Sequence, residues 1–301
     1  MSRRFINSRA QLKLSCYPVN HTGSNPTKQP QSKTVVVIPA RFASTRLPGK
    51  ALLDIGGKPM ICRVAERAQA AKNVDRVIVA TDNQDIVDAV TASGFEAVLT
   101  AETHSSGTDR IAEVVGSILD AEIIVNLQGD EPLISPQTIE RAVERMKIEI
   151  NSNDDAGIVT TWEPIESFED LTNRDVVKVV VGEREQAFYF SRSPIPFPRE
   201  AIAKYGSADA AFFNEPDLIR HYRKHTGLYV YRRDVLLSFA SWPQTALEKF
   251  EGLEQLRALE SGVIIRVIEA SSSSIGVDTP DDLDRVRELI SEGKFEVSVV
   301  R

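Results

Sequence analysis

Three cations stand within ten residues of one another in the stretch PARFASTRLPGK: Arg41, Arg46 and Lys50. The stretch follows an apolar β-branched run, residues 34–38 (TVVVI), so it begins at the carboxyl end of a segment that reads as a buried strand. Open α/β sheets bind their ligands at that end. Guanidinium and ammonium groups offset phosphate charge through charge-assisted hydrogen bonds, and Pro39, Pro48 and Gly49 restrain the loop that carries them. A solvated basic loop would have the same composition; the position after a buried strand favours a polyphosphate site.

The standard nucleotide loops are missing. No two glycines lie two residues apart, so no GxGxxG occurs, and no Gly-Lys pair is followed by Ser or Thr. This disfavours a dinucleotide oxidoreductase and a P-loop NTPase. Hard oxygen ligands are present instead. Asn126-Leu127-Gln128-Gly129-Asp130-Glu131-Pro132 follows another buried run and sets two carboxylates at the same sheet edge, where they suit Mg2+ held between protein and phosphates. Asp-Glu-Pro is equally good chemistry for starting a helix.

Gly276-Val277-Asp278-Thr279-Pro280 offers a third acid ahead of a helical pattern. Spacing alone reads Asp278 or Thr279 as a cap with Pro280 in the first turn, although an Asp returning to the same edge would complete a metal site. Ser105-Ser106-Gly107-Thr108-Asp109-Arg110 opens a further helix, either as a plain N-cap or as hydroxyls and amides for an anion or a base edge. His221 and His225 have the four-residue spacing of a metal helix but lack the intervening glutamate of HExxH and run into a strand pattern, so no zinc site is expected.

These residues need a scaffold, and the periodicities supply one. Residues 34–38, 76–80, 95–99 and 122–127 are short apolar runs separated by helical patterns such as Ile111, Val114, Val115, Ile118 and Leu119, which predicts a doubly wound, mostly parallel sheet. The later half reads as strands at 175–181 and 186–190 joined by a hairpin loop at 182–185, a Pro-rich stretch at 193–198, and a mobile loop or lid at 199–220. A strand at 227–231, a helix over 247–259, a strand at 263–268 and a last helix from Pro280 follow.

Composition sets the outer limits. The 301 residues are 42% hydrophobic and 26% charged, as in an ordinary globular protein. No apolar run approaches the roughly 18 to 20 residues of a membrane-spanning helix, so no membrane partner is expected. Residues 1–33 carry six Lys and Arg and no acid; the remainder is left with 30 against 43 acids, a formal charge of −13, which argues against a duplex nucleic-acid binder. The basic segment 1–33 reads as a disordered extension, either transit-like in its Arg and Ser content or a dispensable tail, and 34–301 as the working domain. With only Cys16 and Cys62, a disulfide framework is excluded and a cytoplasmic location fits.

Taken in order, PARFASTRLPGK, SSGTDR, NLQGDEP, VKVV with AFYFSR, HTGLYVY, LEKFEGLEQLRALE and GVDTPDDL resemble the 3-deoxy-manno-octulosonate (KDO) cytidylyltransferases, from about Thr34 to about Leu289. That resemblance implies a Rossmann-like nucleotidyltransferase sheet with a smaller inserted dimerisation subdomain. It implies CTP and KDO as substrates, CMP-KDO for lipopolysaccharide and pyrophosphate as products, Mg2+ as cofactor, and a homodimer. By motif, Arg41, Arg46 and Lys50 should hold the triphosphate. Ser106, Gly107, Arg110 and Gln128 should lie near the nucleotide, and Asp130 and Asp278 should ligate Mg2+. Lys50, Arg46 and Asp130 carry the catalytic assignment, and Gln128, Arg192, His225, Tyr229, Glu254 and Gln255 should surround the sugar. Asp109 stands where Glu is common and Ala51 where Pro is common. Deprotonation of the anomeric hydroxyl by metal coordination is the economical expectation, with a side-chain base still open. The neighbouring readings are a cytidylyltransferase for amino-KDO or a sialic acid, and a binding protein without catalysis.

Overall fold

The computed structural model describes residues 33–43, 47–104, 106–152 and 155–293. Strand and helix alternate through the first half: β1 (Lys33–Ala40), α1 (Met60–Gln69), β2 (Arg76–Thr81), α2 (Gln84–Ala92), β3 (Glu96–Leu99), α3 (Gly107–Gly116), β4 (Ala121–Asn126), α4 (Pro136–Ser152) and β5 (Ala156–Pro164). Then come α5 (Phe168–Thr172), β6 (Lys178–Val181), β7 (Ala187–Ser191), α6 (Arg199–Tyr205), α7 (Ala208–Asn214), β8 (Arg223–Arg232) and α8 (Arg233–Ser241). The chain closes with α9 (Ala246–Glu251), α10 (Gln255–Glu260), β9 (Ile264–Glu269) and α11 (Pro280–Ser291).

The strands lie in the order β3-β2-β1-β4-β8-β5-β9, with the β6–β7 hairpin attached at the side of β8. In that row β8 alone runs against its neighbours, pairing antiparallel with both β4 and β5. Strand β1 shows why the sheet is covered on both faces. Val36 and Ile38 point to one side, into a core shared with Ile61 and Val64 of α1 and Ile139 and Val143 of α4. Val35 and Val37 point to the other, against Ile111 and Val115 of α3 and Leu236 and Phe239 of α8. The two-residue period of a strand thus feeds two apolar layers, each from β-branched side chains.

Several expected elements change in detail. Strand β1 opens at Lys33, whose ammonium pairs with Asp120; residues 1–32 lie outside the described residues. Helix α3 ends at Gly116, which leaves Leu119 85% exposed. The strand expected over 175–181 shortens to β6 because Lys178 Nζ binds the carbonyls of Asn173 (2.9 Å) and Val176 (2.6 Å) and holds that segment in a turn. Residues 199–220 are not a loop but α6, α7 and the 3-10 turn Pro216–His221. Each helix has seven residues, too few to print a legible 3.6-residue period. Phe212 of α7 seats against Phe168 and Tyr222, at ring separations of 4.9 and 5.6 Å, in a small core of its own. The helix expected over 247–259 breaks into α9 and α10 at Gly252, whose φ of 66° lies in the left-handed region.

Candidate active site

From β1 the chain moves outward to β2 and β3, then crosses back to β4 on the other side of β1. The loops leaving β1 and β4 therefore part in opposite directions and open a crevice at the carboxyl ends of the strands, the place where such sheets take ligands. Arg41, Lys50, Gln128, Asp130 and Asp278 line a cavity of about 300 Å³ there. Gly129 permits the close approach: a Cβ at that position would lie 3.1 Å from the Pro39 carbonyl oxygen.

The Lys50 ammonium, on the 3-10 turn Lys50–Leu52, donates to Asp130 Oδ2 at 2.7 Å and to Asp278 Oδ1 at 2.8 Å. Burial pulls this lysine's pKa down, but the charges of Asp130 and Asp278 and the hydrogen bonds to them outweigh that and hold it above the ordinary value. Asp278 reaches the edge because Val277 N–H donates to the Asp130 carbonyl at 2.9 Å. Thr279, not Asp278, caps α11, accepting from the Asp282 amide in a capping box. The cap is thus present and the carboxylate before it turns to Lys50 instead, two roles that spacing alone did not separate.

Two carboxylate oxygens from different loops converging on one cation form a donor set that fits Mg2+. Among the described residues no cluster of three or more His, Cys, Asp or Glu forms a metal site. Mg2+ commonly takes one or two carboxylates and completes its shell with water and substrate phosphates.

Gln128 also lines a second cavity of about 640 Å³, so the two spaces share a wall. Arg192, His225, Tyr229, Glu254 and Gln255 all line this second cavity, from the residue after β7, from β8 and from the start of α10. Arg192 is anchored through Nε to the Glu251 carbonyl (2.8 Å) and through Nη1 to the Arg174 carbonyl (3.0 Å). The protein meets its guanidinium there with neutral carbonyls, and the Glu251 carboxylate takes the Ser191 hydroxyl and the Arg192 amide instead.

Enclosure pushes the His225 imidazole down to about 3, so it is neutral at physiological pH. Thr160 Oγ1 gives its proton to the Leu228 carbonyl (2.6 Å), so His225 Nε2, 2.9 Å away, must be the donor to Thr160. That leaves Nδ1 as an acceptor. His225 thus offers a lone pair that suits a hydroxyl rather than a carboxylate. Burial raises the acid of Glu254, which accepts from the Thr108 hydroxyl at 2.7 Å, and Tyr229 is buried beside His225.

The nucleotide-side expectations divide. Arg41 Nη2 donates to the His104 carbonyl at 2.9 Å, joining the β1 loop to the segment before α3. Arg46 and Ser105 lie outside the described residues. Ser106 caps α3 in a capping box with Asp109, and Gly107 packs tightly on the Pro39 ring. Arg110 turns inward. It is fully buried, bonded to Asp82 Oδ2 at 2.7 Å and to Thr100 Oγ1, because it sits on the sheet-facing side of α3 with Ile111 and Val114.

A family model described as cytidylyltransferase matches residues 35–268. The 3-deoxy-manno-octulosonate cytidylyltransferase of Geobacter sulfurreducens is 50% identical over 254 residues, 84% of this chain and 98% of that one. That of Escherichia coli is 44% identical over 261 residues, 87% and 97% of the two chains. This chain belongs to the 3-deoxy-manno-octulosonate cytidylyltransferase family. A solved CMP:2-keto-3-deoxy-manno-octonic acid synthetase complexed with CTP matches with a TM-score of 0.76 and 43% identity, covering 87% of this chain and all of the other. The 4-diphosphocytidyl-2C-methyl-D-erythritol synthase of Anaerococcus prevotii, at TM-score 0.55 and 9% identity, shares the fold. As a nucleotidyltransferase of this family, the chain is an enzyme.

Sequence reasoning did not assign several residues that line the cavities of this cytidylyltransferase. Lys224 pairs with Glu163 at 2.9 Å on the wall of the second cavity, and Ser274 Oγ donates to Glu131 at 2.5 Å beside them. Burial, the largest influence, pushes Glu131 up to about 7. Its place next to Asp130 was visible in NLQGDEP, but which way its carboxylate turns is set by Ser274, late in the chain.

Proposed function

We propose that this chain transfers CMP from CTP to the anomeric hydroxyl of KDO, releasing pyrophosphate, with Mg2+ as cofactor. The observation that carries the reading is the pair of linked cavities. One holds the Lys50, Asp130 and Asp278 edge and the other the Arg192 and His225 wall, with Gln128 between them.

Arg41, Arg46 and Lys50 hold the triphosphate and oppose the charge that grows on the α-phosphate and the departing pyrophosphate. The sugar hydroxyl attacks the α-phosphorus in line and gives its proton to solvent; a phosphoester bond forms as the bond to pyrophosphate breaks. Asp130 and Asp278 would hold Mg2+, which when bound would supply Lewis-acid charge to the phosphates and lower the pKa of the attacking hydroxyl. No covalent nucleophile is needed, and positioning with electrostatics does most of the work. In the second cavity Arg192 meets the sugar carboxylate, and His225 Nδ1, Glu254, Gln255, Tyr229 and Gln128 sort the hydroxyls.

We further infer a homodimer that acts in the cytoplasm, supplying CMP-KDO for lipopolysaccharide. Phe188, Phe197, Phe213 and Phe250 stand 64 to 90% exposed, all within or after the β6–β7 insertion. Exposed aromatic side chains such as these can be covered by a partner surface. Among the described residues no helix is long and apolar enough to cross a membrane. Light scattering on the purified protein tests the dimer. Assaying CTP with KDO, amino-KDO, a sialic acid and a neutral sugar tests the acceptor: KDO should be used best, and a sialic acid preferred over KDO would overturn the choice.

A further inference from the structure

Asp82 stands at the carboxyl end of β2, beside the mouth of the crevice, and nothing in its local sequence marks it as functional. Its two oxygens are divided between separate tasks. Oδ2 receives Arg110 Nη2 at 2.7 Å, and Oδ1 receives the backbone N–H of Phe42 at 3.3 Å. Arg110 is fully buried and also reaches Thr100 Oγ1, and Thr100 bonds the Thr81 carbonyl through both its hydroxyl and its amide. The guanidinium is thus clamped between the ends of β2 and β3. Phe42 follows Arg41, which is itself tied to the His104 carbonyl.

A bare carboxylate at this place would repel a triphosphate in the neighbouring crevice. Paired with a buried guanidinium it carries little net field and serves as a fixed acceptor. We propose that Asp82 and Arg110 are positioning residues for nucleotide binding: together they fix the backbone at Phe42 and so aim Arg41 at the phosphates. The chemistry of Arg110 in the SSGTDR stretch is thereby transmitted to the phosphate loop through Asp82 rather than by touching the nucleotide. The inference rests on the reading of the crevice as a CTP site.

The test is calorimetric titration of CTP with Mg2+ into the full chain. Wild-type protein that binds no CTP would overturn the site reading itself. If it binds, Asp82→Asn should raise the Kd for CTP about tenfold or more, since a small displacement of a ligand-holding group is enough for such a loss. In an Arg41→Ala background the same change should cost much less, because the group that Asp82 aims is gone. An equal factor in both backgrounds, or no loss in either, would overturn the proposal. Should Asp82→Asn fail to fold, Phe42→Pro removes the tethering N–H, along with freedom at φ and at Arg41, and leaves the buried pair intact. It should bind CTP several-fold more weakly than Phe42→Ala, which keeps the N–H. Equal affinities would count against the tether. Arg110→Lys, which keeps the charge but lacks a second prong, should weaken CTP in the same direction while the KM for KDO at saturating CTP stays near wild type. A KM for KDO that rises in step with CTP loss would mark a general structural defect.

Discussion

The ammonium of Lys50 lies 2.8 Å from a carboxylate oxygen of Asp278, a residue 228 positions further along the chain. Closing that distance requires the whole fold: the loop after β1 carries the cation, and the turn before α11 carries the acid. Asp130→Asn and Asp278→Asn should each lower turnover on the order of a hundredfold, the size expected if each carboxylate stabilises the transition state by roughly 3 kcal/mol. The losses should not add in the double variant, because the two act as a unit. Chelating Mg2+ should likewise stop turnover without lowering the melting temperature. Near-wild-type turnover in either variant would remove that residue from the metal shell.

Substrate binding should separate along the wall at Gln128. Gln255→Ala or His225→Ala should raise the KM for KDO, since a polar group left unpaired in a closed site costs about 1 to 3 kcal/mol. The affinity for CTP, held by the loop after β1, should change little in the same proteins. Titration of CTP alongside steady-state kinetics in KDO decides it; a collapse of both together would contradict the two-part site.

The half-buried, neutral His225 predicts a stability slope with a definite sign. Its pKa in the fold, about 3, lies below the ordinary 6.5, so between those values the unfolded chain binds a proton that the native chain does not. Its contribution is constant above pH 6.5 and is lost as pH falls toward 3, by about 1.4 kcal/mol per pH unit. Urea unfolding of wild type and His225→Gln at pH 7.5 and pH 5 should therefore show the difference between them shrinking at the lower pH. An unchanged difference would mean that the imidazole is not held neutral.

Much of this was readable in the residues themselves. The β-branched runs gave the parallel sheet, and the carboxyl ends of those runs gave the crevice, because a buried strand has few other ways to present charge. The departures have physical causes. Arg110 was assigned to the nucleotide by its motif, but helical phase turns it into the sheet, and only the carboxylate of Asp82, 28 residues earlier, shows where its charge goes. The helices at 199–214 are short and broken at Gly206, so no period could reveal them. His225 was placed around the sugar by its motif, but only Thr160, from β5, fixes the tautomer that leaves its Nδ1 an acceptor.

The basic segment ahead of β1 has too little apolar content to join a core, and the cytidylyltransferase match begins only at residue 35. Deleting residues 1–32 should leave melting temperature and turnover unchanged. A clear fall in either would show that the segment docks, and import of a segment–reporter fusion into an organelle would contradict the cytoplasmic assignment.

Pyrophosphate release from CTP, followed with purified protein, Mg2+ and KDO, bears most directly on the central claim. One pyrophosphate and one CMP-KDO should form for each CTP consumed, and both should vanish when KDO or Mg2+ is left out. Binding of CTP without turnover in the presence of KDO and every other acidic sugar tried would contradict the account and leave a nucleotide-binding protein in its place.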